Sequence, residues 1–353
     1  MPRVAGVDPG SVSFDLCVLE DGQPVLEQVF ETGSLRHDAG PLLDALRRHG
    51  PYDLVYGPSG YGVPLVAAAD VDELCLAEMV LVRPDERGAA IGIAGMRTLM
   101  RGLARSGLPV VFGPGVIHLP SVPRYRKYNR IDLGTADKVC SVAYAIVDQA
   151  SRMRIGCDET SFVLVELGGA FTAAVAVAAG RIVDGAGGSS GPIGIRASGA
   201  LDGELAYLLA PSLSKRTLFS GGALGPVGAV DLASLWDDPA YAEGWAALLE
   251  GTAKAVRGLA GNVPGVREVL VGGRVARIEG AVASLAASLA QVAPVRALVA
   301  GAASTAAHGG ALLADGLTGG RHEPVVAALG IREAAGTVLD HLRVAGAETI
   351  RLG

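Results

Sequence analysis

The chain has 353 residues, half of them apolar and 5% aromatic, with 50 glycines and a formal net charge of −6. An acidic balance argues against a partner gripped through nucleic-acid phosphates, and no apolar run is long enough to cross a bilayer. The length and glycine content predict two packed α/β domains in place of a helical bundle. The opening MPRVAGVDPG has no apolar leader core, because Asp8 interrupts it, and Cys17, Cys75, Cys140 and Cys157 are scattered. A cytoplasmic protein with reduced thiols and no structural zinc is expected.

Taken in order, Val4–Gly10 reads as a strand ending at Asp8, with Pro9-Gly10-Ser11 as a turn and Ser13–Leu19 as the returning strand. Asp21-Gly22 turns again into a third strand, Pro24–Phe30. Asp38–His49 reads as a helix with Pro41 near its start. Asp53–Tyr56 reads as a buried parallel strand, and the loop Gly57–Gly62 at its carboxyl end is either part of a cleft or a plain connection. Helices are expected over Val71–Val82 and Gly92–Ser106, and a strand over Leu108–Phe112. His118 reads as structural. The stretch Val122–Lys138 then sets Arg124, Arg126, Lys127 and Arg130 ahead of Asp132, Thr135, Asp137 and Lys138 in an otherwise acidic chain. Thr135 is placed to cap the helix Val139–Gln149, whose N-terminus would face whatever binds near Asp132 and Lys138. Such a stretch suits an anionic substrate or a phosphoryl group in transfer; a solvated basic loop is the alternative.

A second domain is expected from about Thr160. Phe162–Val165 reads as a buried strand, and Glu166-Leu167-Gly168-Gly169-Ala170-Phe171-Thr172 as a glycine turn. Ala173–Ala179 and Ile182–Val183 are the following strands. Glycines here permit positive φ and a close ligand approach, and successive N–H groups facing one concavity hold an anion without a lysine. The motif is thus an acid–glycine–hydroxyl hairpin like the one at Asp8, and the pair suggests one plan used twice across a cleft. Gly185–Gly194 reads as a mobile or ligand-wrapping loop, and Ala200–Leu209 as a helix with Asp202 and Glu204 near its start. Trp236 and Trp245 read as packing residues, and Tyr241–Leu259 as a long helix. Val266–Val271 reads as a strand leading to a Gly272-Gly273 turn suited to adenosine, with Arg274 or Arg277 beside the base. Helices are expected over Ile278–Gln291, Ser304–Asp315 and Gly330–Leu342, with a strand over Val295–Val299 between the first two. The small residues of Ser304–Asp315 suit close helix packing.

The two hairpins resemble the phosphate-1 and phosphate-2 motifs of the acetate and sugar kinase / Hsp70 / actin superfamily. Leu270–Arg277 resembles its adenosine motif, and Gly301–Gly316 its later small-residue helix. Within the superfamily the chain resembles the butyrate kinase side, including a family often labelled predicted butyrate kinase. The resemblance implies an α/β protein with two ribonuclease H-like domains, residues 1–158 and 159–353. Their mixed sheets, flanked by helices, would face each other across a nucleotide cleft. It implies an ATP- and Mg²⁺-dependent phosphotransferase acting on a small, anionic metabolite such as a carboxylate, and it admits a homodimer.

On that reading Asp8, Gly10, Ser11, Ser13, Gly168, Gly169, Thr172, Gly272, Gly273 and Arg274 hold nucleotide, and Asp8 and Glu166 serve the metal. Arg126, Arg130, Asp132, Asp137 and Lys138 serve the transferred group, with Asp132 or Asp137 as the base if the acceptor is a hydroxyl. The rival expectations are an ATP-driven switch acting on a partner protein, and a degenerate clamp without turnover. Pro9 and Ala170 stand where many relatives have glycine or a polar residue, which favours the last.

Overall fold

The structure is a computed structural model that describes residues 2–10, 13–31, 39–86, 92–227 and 231–353. Ser11 lies outside the described residues. The chain opens with the strands β1 (Arg3–Pro9), β2 (Ser13–Glu20) and β3 (Gln23–Glu31). Helix α1 (Gly40–His49) carries Pro41 in its first turn, where a missing N–H costs nothing. Next come β4 (Leu54–Tyr56), β5 (Val66–Ala67), α2 (Glu73–Val80), α3 (Gly92–Ala104) and β6 (Val110–Phe112). The first sheet has the order β3-β2-β1-β4-β6-β5. Its first three strands are antiparallel, β1, β4 and β6 are parallel, and β5 returns antiparallel.

Helix α4 (Ala136–Met153) leads to the second sheet, which begins with β7 (Phe162–Leu167), β8 (Thr172–Ala178) and β9 (Arg181–Ala186). Four helices follow: α5 (Gly203–Leu209), α6 (Lys215–Leu218), α7 (Leu232–Trp236) and α8 (Ala242–Ala260). The chain then forms β10 (Glu268–Gly273), α9 (Glu279–Leu289), β11 (Val295–Ala297), α10 (Thr305–Leu317) and α11 (Glu323–Leu329). The second sheet has the order β11-β10-β7-β8-β9, so it repeats the run β6-β4-β1-β2-β3 of the first. An antiparallel meander joined to parallel strands thus occurs twice, in two mixed sheets flanked by helices.

The layers follow from burial. One face of the first sheet, including Ala5, Leu16 and Val55, packs under α1, α2 and α3. The outer face of the second, including Val163, Val165 and Val271, packs under α8 and α9. The two inner faces share a single core in which Val4, Cys17 and Tyr56 from one sheet and Phe162, Leu164 and Val175 from the other enclose α4 and α10. A helix placed there needs apolar or small residues all round. Every residue of α10 from Thr305 to Gly316 is accordingly buried. Close approach is achieved by glycine. A Cβ on Gly6 would overlap the Ala307 carbonyl, and one on Gly309 would overlap that of Cys140. Helix α4 is also tied to the second sheet by polar side chains. Gln149 donates to the buried Glu268 at 2.7 Å and accepts from the Ser161 N–H at 2.9 Å, while Arg152 and Arg296 pair with Asp148 and Glu268.

One expected helix is displaced. Gly330–Leu342 is not helical; α11 precedes it, with Pro324 in its first turn and Gly330 capping its end in the left-handed conformation. Gly336 also has a positive φ of 78°, which interrupts any helix through it. The tryptophans pack as expected: Trp236 and Trp245 meet edge to face, and the Trp245 indole donates to the Leu235 carbonyl. Among the described residues no helix is long and apolar enough to cross a membrane.

Candidate functional site

A cleft of about 980 Å³ opens between the two sheets. Both hairpins reach it: Asp8, Pro9, Gly10 and Ser13 from the β1–β2 turn, and Glu166, Gly168 and Gly169 from the β7–β8 turn. Asp8 and Glu166 occupy the same place in the repeated plan, one residue before the end of β1 and of β7. The turns differ from expectation in one respect. Gly10, Gly168 and Gly169 do not adopt positive φ. At Gly10 the service is space, since a Cβ there would lie 2.9 Å from the Ser13 carbonyl oxygen, whereas one on Gly168 would meet only ordinary contact at 3.4 Å. The N–H of Gly168 closes its turn on the Phe171 carbonyl at 3.1 Å.

At the floor of the cleft stands a group of half-buried charges. Lys138, in the first turn of α4, is ion-paired with Asp137, whose other oxygen accepts from the Thr135 hydroxyl. Burial acts to lower the Lys138 pKa, but Asp137 and then Glu166 and Asp8 outweigh it and hold the ammonium above the ordinary lysine range. Asp137 is kept below the usual carboxylate range despite its burial, because Lys138 and Thr135 favour its charged form. Burial, and next the charge of Asp137, push Asp8 up to about 7. Burial likewise raises Glu166, with Lys138 opposing. Among the described residues Oε2 of Glu166 is buried without a hydrogen bond. Gly272 leaves room for it, since a Cβ there would stand 2.6 Å from that oxygen.

Two cleft residues of this group were not singled out from the sequence. Asp15 on β2 is buried, and its Oδ2 accepts from the Ser304 N–H at 2.8 Å. Ser304 caps α10 and donates its hydroxyl to Asp8 at 2.7 Å. Neither had a local signal, because Asp15 sits inside an ordinary strand pattern and Ser304 is remote in sequence. Arg196 is the third addition of consequence. It lines the cleft and donates from Nε to the Gly169 carbonyl at 2.8 Å, bringing a cation to the second hairpin.

The basic stretch divides. Asp132, Asp137 and Lys138 line the cleft; Arg126 and Arg130 do not. Arg126 donates to the Val183 carbonyl at 2.7 Å and faces Asp184, so it braces β9. Arg130 is exposed. Asp132 is buried and fully engaged, accepting from the Gly134 N–H at 3.1 Å and from both the N–H and hydroxyl of Ser189 at 2.9 and 3.0 Å. Those bonds pin the glycine loop after β9 and bring Gly188 to the cleft wall. Asp202 and Glu204 are exposed, with Asp202 capping α5.

The far end of the cleft is formed by Gly273, Arg274, Arg277 and Ile278 after β10, with Val299–Gly301 opposite. Gly273 has φ 77°, and a Cβ there would strike the Leu167 carbonyl of the second hairpin. Gly272 and Thr172 do not line the cleft; Thr172 is fully buried. His118 is buried and bonded to the Gly115 carbonyl, as a structural histidine should be.

Among the described residues no three His, Cys, Asp or Glu side chains converge as a metal cage. The acids present do fit a hydrated Mg²⁺, which keeps several waters and takes one or two carboxylates together with phosphate oxygens. Asp8 borders the cleft, and the orphaned oxygen of Glu166 has unused acceptor capacity.

Twin meander sheets sharing a helical layer, with a cleft between their hairpins, form a fold also seen in acetate and propionate kinases. The chain belongs to the family described as "Protein of unknown function (DUF1464)", whose model matches residues 6–344. A propionate kinase from Francisella tularensis is similar in structure, with a TM-score of 0.62 at 15% identity over 88% of this chain and 99% of that one. Acetate kinase from Entamoeba histolytica gives 0.57 at 13% identity over 82% and 87%, and that from Porphyromonas gingivalis 0.56 at 14% over 83% and 88%. A comparison with curated proteins gives no match.

Proposed function

We propose that the protein is an ATP-dependent phosphotransferase acting on a small metabolite with an anionic acceptor such as a carboxylate. The observation that carries this is the meeting of Gly10 and Gly168 on one cleft, with Lys138 between the acids at its floor. Residues 1–158 and 159–353 are taken as the two lobes. Backbone N–H groups of the hairpins would hold the triphosphate, and Gly273 and Arg274 the adenosine. A Mg²⁺ ion, held through water by Asp8 and Glu166, would neutralise phosphate charge.

Lys138 and Arg196 are the cations positioned to face a transferred phosphoryl group. This role was expected of Arg126 and Arg130, whose side chains are turned elsewhere. A carboxylate acceptor is already ionised at neutral pH and needs no base. For a hydroxyl acceptor neither of the two expected bases has a free oxygen, Asp132 being engaged with Gly134 and Ser189 and Asp137 with Thr135 and Lys138.

The test is ATP labelled at the γ-phosphate, incubated with Mg²⁺ and a panel of small acids and alcohols. Label transferred to one of them is the expected result. Label released only as free phosphate would fit a nucleotide-driven switch, and ATP left intact would fit a clamp without turnover.

A further inference from the structure

We infer that Asp15 is a second carboxylate for the divalent cation, acting with Asp8 through the cation's bound waters. This rests on the phosphotransferase reading above and adds a residue to it. The register of the first hairpin pairs Asp8 directly with Asp15, so both side chains leave the same face of the sheet. Like charges placed opposite one another destabilise a strand pair unless something compensates them.

Ser304 compensates in part. Its hydroxyl satisfies Oδ2 of Asp8, its N–H satisfies Oδ2 of Asp15, and the N-terminus of α10 favours negative charge. The other oxygen of Asp15 is left over. Asp15 is only 6% exposed and lines the cleft, yet among the described residues its Oδ1 receives no hydrogen bond. A buried carboxylate oxygen without a donor is costly, and although the Ser13 side chain favours the charged carboxylate, no described residue bonds this oxygen. Lys138 is not that partner, being paired with Asp137.

The repeated architecture makes the point by internal comparison. In the second hairpin the residue opposite Glu166 is Ala173. The plan therefore folds without a second acid, and Asp15 is an addition peculiar to the first lobe. Water bound to a divalent cation provides donors of the kind Asp15 lacks, in a cleft open to solvent. The cation would then rest against Asp8 and Asp15 on the first lobe, with Glu166 facing it from the second.

The experiment is calorimetric ATP binding to the wild type and to Asp15→Asn, each with Mg²⁺ and with the metal chelated. The Asn variant keeps an acceptor for the Ser304 N–H. It is expected to lower the Mg²⁺-dependent enhancement of ATP affinity by about tenfold or more, as loss of a group behind metal-bound water does. Metal-free ATP binding should be unchanged or tighter, because one negative charge beside the phosphates is gone. An enhancement equal to that of the wild type would overturn the inference. So would equal losses with and without metal, since these mean a structural role. Wild-type protein that binds no ATP in either buffer would sink the phosphotransferase reading itself, and this inference with it.

Discussion

The ammonium of Lys215 donates to the Tyr61 hydroxyl at 3.1 Å and lies 4.6 Å from the centre of that ring. It also donates to the Leu81 carbonyl at 3.2 Å, while its backbone N–H donates to Glu86. Close by in the chain, Phe219 packs edge to face on Phe171 of the second hairpin. The segment around α6 therefore fastens the loop after β4 at one end and a phosphate hairpin at the other. Tyr61, Phe171 and Phe219 all line the cleft.

That fastening should be sensitive to pH. Burial pushes Lys215 down to about 8 from its ordinary 10.5, although Asp132 and Glu86 oppose the shift. Between those values the unfolded chain binds more protons than the folded one, so this group adds stability as pH rises. The cost of burying its charge is fully present below about pH 8. Thermal melts of the wild type and Lys215→Met from pH 7 to 10 should show the wild type gaining on the variant across that window. Parallel curves would mean that the ammonium is solvated.

Substituting Gly6 by alanine should damage the shared helical layer. The added methyl would meet backbone of α10, at the Ala307 carbonyl and the Ala311 N–H, neither of which can rotate away. Overpacking of this kind costs about 1–3 kcal/mol or more. Urea unfolding measures it, and a variant as stable as the wild type would show that α10 can shift without loss.

Lys138 and Arg130 should behave oppositely. Lys138→Met leaves the half-buried Asp137 without its cation, and because that side chain is 36% exposed the loss should fall below the roughly 3–5 kcal/mol of a fully buried pair. Adding Asp137→Leu should restore part of the stability and none of the phosphoryl transfer. Arg130→Ala, on the exposed surface, should leave both transfer and melting temperature near wild type. A loss of transfer in the Arg130 variant would place that side chain in the chemistry after all.

Gly273→Ala should weaken both the fold and nucleotide binding. A non-glycine residue at that φ carries about 1–3 kcal/mol of strain, before its methyl meets the Leu167 carbonyl. Chemical denaturation and ATP titration read the two effects separately. Wild-type ATP affinity in a folded variant would remove Gly273 from the binding surface.

The two meanders were legible because each carries its own apolar runs and glycine turns. Their shared cleft could be inferred because acid, glycine and hydroxyl recur in the same order. The basic stretch was half legible: composition put Arg126 and Arg130 with Lys138, but only the helix start fixes which side chains face inward. Asp15, Ser304 and Arg196 were not assigned to the site, since their meaning comes from register and from contacts between distant segments. The misplaced final helix shows the same limit on a smaller scale. Its small and apolar residues suit a helix, but Pro324 and Gly330 set the bounds of the one that forms.

The helical layer between the sheets has a bearing on how the chain must be made. Helix α10 covers Val4, Cys17 and Tyr56, yet it is synthesised some 300 positions after the first of them. The N-terminal sheet emerging from the ribosome therefore keeps one oily face bare until nearly the whole polypeptide has been translated. A fragment ending at residue 158 would retain that bare face permanently, so the halves of this molecule are not separable modules.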